Sequence, residues 1–103
     1  MDHSMRANEN TVIMGQGVDD FKGIWGTTLN LHKKYGRERV FDLPLAEESS
    51  CGIALGSALN GLYPIQTHIR ADFAFVAMNQ IVNLLAKYRY MFGGRYEVPT
   101  LLR

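Results

Sequence analysis

The sequence lacks several features that would assign it to particular classes of protein. It has one cysteine, Cys51, so no disulfide can form within the chain, and we expect a reducing compartment, the cytoplasm. Its 11 basic and 10 acidic residues nearly cancel, so it lacks the positive excess that nucleic-acid binding requires. No apolar run approaches the roughly 20 residues that span a bilayer. The sequence therefore predicts a cytoplasmic protein that binds neither nucleic acid nor a membrane.

The length and composition of the chain predict one folded domain. Its 103 residues are 47% hydrophobic, which is enough for a single core and too little for two full domains. Residues 1–10 are polar and show no periodicity, so they are predicted to be a disordered tail or a cloning remnant. The folded part is expected to cover residues 11–103.

Short apolar runs alternate along the chain with helical patterns. The predicted strands are residues 11–14, 39–43, 63–69 and 98–102, and the predicted helices are residues 27–36, 47–60 and 73–92. A helix between each pair of strands is typical of a parallel sheet whose two faces are both covered. The sequence therefore predicts an α/β fold with a parallel sheet and helices on both faces.

Ligands of open parallel sheets bind beyond the carboxyl ends of the strands, and few residue patterns there indicate a known chemistry. The run at residues 15–17 lacks the third glycine and the following helix of a dinucleotide site. His3, His32 and His68 have no metal-ligand spacing among themselves or with Cys51, which is itself predicted to be a buried, inert thiol.

Two residues at this predicted edge have more than one interpretation. Glu47 lies where a strand has ended and a helix begins, so it is either a functional carboxylate or a helix-start residue, a role that Glu48 could equally fill. Phe73 begins the last predicted helix and is either a core aromatic or a platform on which a flat ring stacks. The residues by themselves leave these alternatives open.

Three stretches of the chain together carry a family resemblance. They read RVFDLPLAE at residues 39–47, GIALGSALNGLYP at residues 52–64 and AKYRYMFGG at residues 86–94. With the sequence around them, from about residue 11 to residue 103, they resemble the beta subunit of thiamine-diphosphate-dependent 2-oxo acid dehydrogenases. The resemblance implies the transketolase-like pyrimidine-binding domain, in incomplete form, because relatives have further segments before and after this region.

The resemblance also implies roles for individual residues. Glu47 matches the glutamate that shares a proton with the aminopyrimidine of thiamine diphosphate and so activates the cofactor. Phe73 matches an aromatic residue that packs on this ring, and Ile69 matches a position lining the same pocket. Gln16 stands where many relatives carry an acidic residue, and the backbone near Thr100 matches part of a potassium site.

The resemblance implies partners as well. The alpha subunit would hold the diphosphate and its magnesium ion, beta subunits would associate with each other, and the acyl group would pass to lipoyl groups on a separate acyltransferase. The chain alone is then expected not to turn over substrate, and pyruvate, acetoin-type and branched-chain substrates all remain open. One rival is a truncated, non-catalytic module for oligomerisation or subunit docking, and another is a transketolase relative, against which residues 87–94 argue.

Overall fold

The computed structural model describes residues 1–103 and has a parallel four-stranded sheet at its centre. The strands are β1 (Thr11–Gly15), β2 (Val40–Asp42), β3 (Tyr63–Thr67) and β4 (Leu101–Leu102). Their order across the sheet is β2-β1-β3-β4, and every neighbouring pair is parallel. This arrangement confirms the α/β class predicted from the alternation of strands and helices.

Helical segments connect the strands and cover the sheet. The α-helices are α1 (Asp2–Ala7), α2 (Gly23–Gly26), α3 (Leu31–Tyr35), α4 (Glu47–Leu59) and α5 (Tyr88–Met91), with a 3-10 helix at Ala71–Ala77 and a π-helix at Gln80–Leu85. Successive side chains of β1 point to opposite faces, so Ile13 packs into one apolar cluster and Met14 into another. The sheet therefore has a core on each face.

The N-terminal residues correct the prediction of a disordered tail. They form α1, whose Met5 is only 1% exposed and packs with Ile13 and Ile65 in the larger apolar cluster. The guanidinium of Arg39 donates hydrogen bonds to the carbonyl oxygens of Met5 and Asn8, each at 3.1 Å. A single apolar anchor in a short polar segment produces no periodicity, which is why the pattern missed this helix.

The long helix predicted over residues 73–92 is also wrong in its detail. The structure divides this stretch into the 3-10 helix, the π-helix and α5, and Ala77 is the one buried residue of these three elements. Apolar residues spaced three and four apart identify the apolar side of a helix, but they do not set its hydrogen-bond register. Several apolar side chains of this stretch are half-buried, such as Ile81 and Leu85, whereas Phe75 and Val76 are exposed.

The helix predicted from residue 27 begins later, at Leu31. Asn30 has a left-handed backbone with φ of 61°, which separates α3 from the preceding threonines. Gly36 ends the helix with φ of 82°, as the sequence predicts.

The last strand, β4, covers Leu101–Leu102 and is shorter than the predicted residues 98–102. No helix of the structure combines the length and the apolar character needed to cross a membrane.

Candidate functional site

Two buried polar side chains meet at the carboxyl edge of the sheet. Gln16 directly follows β1, and Glu47 is the first residue of α4, after β2. Both are 8% exposed, and Nε2 of Gln16 lies 3.5 Å from Oε1 of Glu47, so the amide donates a hydrogen bond to the carboxylate. Oε2 of Glu47 has no hydrogen-bond partner in the chain and is not one of the fully buried polar atoms. Glu47 therefore has one oxygen that is held and one that is free.

Asp42, the last residue of β2, binds the loop that contains Gln16. The backbone N–H groups of Gly17 and Asp19 donate to its carboxylate at 3.1 Å each, and the N–H of Val18 donates to it as well. Three consecutive amides of one loop thus converge on one carboxylate from the neighbouring strand. The sequence pattern predicted no role for Asp42.

A network of polar groups lies behind Glu47, between α4 and β3. The hydroxyl of Ser50 donates to the carbonyl oxygen of Glu47, and Nε2 of Gln66 donates to that hydroxyl, both at 2.9 Å. The thiol of Cys51 donates to Oε1 of Gln66 at 3.8 Å, and its Sγ lies 3.9 Å from Nε2 of His68. Nδ1 of His68 is buried without a partner. The sequence spacing did not predict the contact between Cys51 and His68.

Burial drives both titratable groups of this network toward their neutral forms. Burial, and then the nearby Glu47 carboxylate, raises the pKa of the Cys51 thiol to about 11. Burial lowers the pKa of His68, and the Glu47 carboxylate opposes this shift. The thiolate, and not the thiol, is the nucleophilic form of cysteine. Because the raised pKa keeps Cys51 as the thiol, its contact with His68 does not make it an activated nucleophile.

A cavity of about 190 Å³ opens beside the Gln16–Glu47 pair. Gln16, Ile69 and Trp25 line it, together with Gly17, Asp20, Lys22 and Ile24. Glu47 and Phe73 are not lining residues, so Gln16 is the side chain that joins the cavity to the buried carboxylate. The indole of Trp25 is 87% exposed at the mouth of this cavity.

The remaining predicted site residues lie apart from this pair. Phe73 is in the 3-10 helix, is half-buried, and has the guanidinium carbon of Arg70 4.7 Å from its ring centroid. Thr100 immediately precedes β4 and lines a separate, mostly apolar groove. The structure thus brings Gln16 together with Glu47 and with Ile69, and it does not place Phe73 or Thr100 in the same cavity. No group of three or more histidine, cysteine, aspartate and glutamate side chains is arranged to hold a metal ion.

The comparisons with known proteins agree with the fold. Residues 1–99 match the family model described as the transketolase pyrimidine-binding domain. The whole chain is 39% identical to the pyruvate dehydrogenase E1 component subunit beta of Cyanidium caldarium and covers 32% of it. Over 98% of the chain, it is 42% identical to the 2-oxoisovalerate dehydrogenase subunit beta, mitochondrial, of Dictyostelium discoideum and covers 27% of it.

A human relative is similar over the same extent. The whole chain is 36% identical to the pyruvate dehydrogenase E1 component subunit beta, mitochondrial, of Homo sapiens, of which it covers 29%. The chain thus spans about a third of the length of the curated relatives it matches. The family match over residues 1–99 and the parallel α/β sheet show that this chain belongs to the transketolase pyrimidine-binding domain family, among relatives that are E1 beta subunits of 2-oxo acid dehydrogenases.

Proposed function

We propose that this chain acts as part of the beta subunit of a 2-oxo acid dehydrogenase, in which Glu47 activates thiamine diphosphate. The observation that carries the proposal is the buried Glu47 carboxylate at the carboxyl edge of the parallel sheet, with Oε1 held by Gln16 and Oε2 free. A carboxyl group in this arrangement can hold a proton at Oε2 toward a ring nitrogen. The names of the relatives support the same reaction class.

The residues present fit the pyrimidine part of thiamine diphosphate. Glu47 would face a ring nitrogen with its free Oε2, and Ile69 offers an apolar wall at the adjoining cavity. Phe73 lies outside that cavity, in the 3-10 helix, so its role as the aromatic face stays a prediction from the family resemblance. From the family resemblance, we propose that an alpha subunit holds the diphosphate together with its magnesium ion. When bound, thiamine diphosphate supplies the carbon nucleophile and the electron sink for decarboxylating a 2-oxo acid.

The contribution of this chain to that chemistry is orientation and control of one proton. Gln16 donates to Oε1, which leaves the carboxyl proton of Glu47 to be carried at Oε2. Hydrogen bonds of Ser50, Gln66 and Cys51 tie the first turns of α4 to β3, which holds the backbone that carries the Glu47 side chain. Transfer of the acyl group to lipoyl groups of an acyltransferase, and potassium bound by backbone near Thr100, are further parts of the proposal.

The decisive experiment is Glu47→Gln in the intact subunit, assembled with its alpha subunit. The amide keeps the size of the side chain but cannot donate an acidic proton, so decarboxylation measured with an artificial electron acceptor should fall roughly 100-fold or more. Glu48→Gln is the matched control, because Glu48 is exposed and accepts a hydrogen bond from Asn79 at 3.0 Å. A Glu47→Gln enzyme as fast as the unaltered one would refute the proposal.

A second candidate function is a non-catalytic module for subunit association. The exposed apolar side chains of residues 71–92, among them Phe75, Val76 and Met91, favour it because such surfaces drive association. Size-exclusion chromatography and calorimetry separate the two functions. A stable oligomer that binds no thiamine diphosphate, even with the alpha subunit, would support the module, whereas cofactor binding that depends on Glu47 would support the enzyme.

A further inference from the structure

The loop that carries Gln16 is attached to the sheet at two points. Gly15 and Asp42 are paired in the register of β1 and β2, and the N–H of Leu43 donates to the carbonyl oxygen of Gly15 at 2.6 Å. One residue later, the loop turns and passes over the end of β2. Gln16 is therefore the single residue between the sheet pairing and the segment that Asp42 binds.

The carboxylate of Asp42 is used on both of its oxygens. Oδ1 accepts the N–H groups of Val18 and Asp19, and Oδ2 accepts that of Gly17. A carboxylate is the side chain suited to this place, because an amide would turn an NH2 group toward at least one backbone N–H. Hydrogen bonds to a charged acceptor are also about twice as strong as neutral ones. Asp42 thus holds the loop more firmly than a neutral isostere could.

Gln16 links this loop to Glu47. The only side-chain hydrogen bond of Gln16 is the one to Oε1 of Glu47, and its backbone has little freedom because residues 15 and 17–19 are all held. Val18, which is fully buried, anchors the same loop from the apolar side. Movement of residues 17–19 would therefore move the Gln16 amide relative to the Glu47 carboxylate.

We propose that Asp42 is a positioning residue for Glu47: it binds the backbone of residues 17–19 and thereby holds the Gln16 amide against the Glu47 carboxylate. This inference rests on the proposed role of Glu47 and adds a specific residue to it. Asp42 is the last residue of β2 and Glu47 is the first residue of α4, so both carboxylates lie at the carboxyl edge of the sheet.

The test compares Asp42→Asn, Gln16→Ala and the double variant in the intact subunit with its alpha subunit. Each single change should lower kcat about tenfold, as expected for losing a hydrogen bond to a charged group, and both should move the pH–activity profile in the same direction. The double variant should be no slower than the slower single variant, because both changes act on one contact. Cys51 and His68, the titratable groups that face Glu47 from α4 and from the end of β3, stay unaltered.

A second measurement, hydrogen–deuterium exchange, tests the same variants without the cofactor. In the apoprotein, hydrogen–deuterium exchange of residues 17–19 should speed up at least tenfold in Asp42→Asn and stay unchanged in Gln16→Ala. Asp19→Asn is the matched control: it makes the same chemical change in the same loop, but the Asp19 side chain pairs with Arg37 at 3.1 Å. It should keep the exchange rate of this segment and the pH profile.

The outcomes distinguish this inference from the proposed function. If the effects of Asp42→Asn and Gln16→Ala multiply in the double variant, or if Gln16→Ala leaves the pH profile where it was, the positioning role is wrong. The second criterion holds even if Asp42→Asn fails to fold. If Glu47→Gln keeps full activity, the proposed function itself fails, whatever the other variants show.

Discussion

The carboxylate of Glu47 shares its buried surroundings with two groups that burial drives to neutrality. The pKa of the Cys51 thiol is raised to about 11 and the pKa of His68 is lowered, so at neutral pH neither adds a charge behind α4. The buried position of Glu47 lowers the effective dielectric around its carboxyl group, which strengthens its interaction with whatever faces its free oxygen. At the scale of single residues, the site is a carboxyl group with one amide partner and a neutral polar background.

His68 makes folding stability depend on pH in a definite direction. Its pKa is lowered in the folded chain, so the unfolded chain binds a proton first as the pH falls below about 6.5. The free energy of unfolding should therefore fall between pH 7 and pH 5, by at most about 1.4 kcal/mol per pH unit from this group. His68→Asn should show a smaller fall, measured by urea unfolding at the two pH values.

The control for this prediction is His3→Asn, which removes an exposed histidine from α1. It tests for the loss of one titratable group without a change in the buried network. Equal pH dependence of the unaltered protein and of His68→Asn would contradict the prediction, because the buried imidazole would then bind its proton as easily folded as unfolded.

The elements meet most closely where β1 and β3 end. A Cβ at Gly15 would lie 2.2 Å from the carbonyl oxygen of Thr67, and Gly15 has φ of 144°. Glycine is required here for two reasons, since a side chain would collide with backbone and the conformation itself disfavours other residues. The close approach of the two strands positions Gln16, the next residue, at the edge of the sheet.

Gly15→Ala should therefore destabilise the protein by about 2 kcal/mol or more in urea unfolding. Gly56→Ala is the matched control, because Gly56 lies inside α4 and a Cβ there would meet nothing within 4 Å. That change should be neutral or stabilise by up to about 1 kcal/mol, as alanine favours a helix over glycine. Gly15→Ala with unchanged stability would mean that β1 and β3 do not approach as closely as described.

The prediction of elements from sequence succeeded where local pattern determines structure. The bounds of α4, predicted as residues 47–60 and found as Glu47–Leu59, followed from the residues at its start and from the Gly61 stop. Residues 73–92 were less predictable, since their spacing is helical but their register depends on packing against α4. The helix within residues 1–10 could not be predicted from local pattern, because it depends on the apolar cluster into which Met5 packs.

The molecule as a whole leaves one region of its surface unusually apolar. Phe75, Val76, Met91 and Phe92 are all exposed along the C-terminal helical segment, residues 71–92. Exposed apolar side chains of this size favour association with another surface. This is the surface on which the proposals of association with an alpha subunit and with other beta subunits depend.

The chain should therefore self-associate in the absence of other subunits. Sedimentation velocity over a concentration series should show species larger than the 11.6 kDa monomer. The double change Phe75→Ser and Val76→Ser should shift this equilibrium toward monomer by at least tenfold in dissociation constant. Phe21→Ser, which alters an exposed aromatic outside the segment, is the control and should leave association unchanged. A monomer at all concentrations would contradict the prediction.

The sequence alone determined the α/β class, the helix that starts at Glu47 and the family, because hydrophobic period, helix-start residues and collinear motifs are local properties. Only the tertiary structure decided that Asp42 binds residues 17–19, that Cys51 contacts His68, and that Gln16 is the partner of Glu47. These contacts join residues 17 to 31 positions apart along the chain. A linear pattern shows which side chains are polar, but the order and register of the strands select which of them meet.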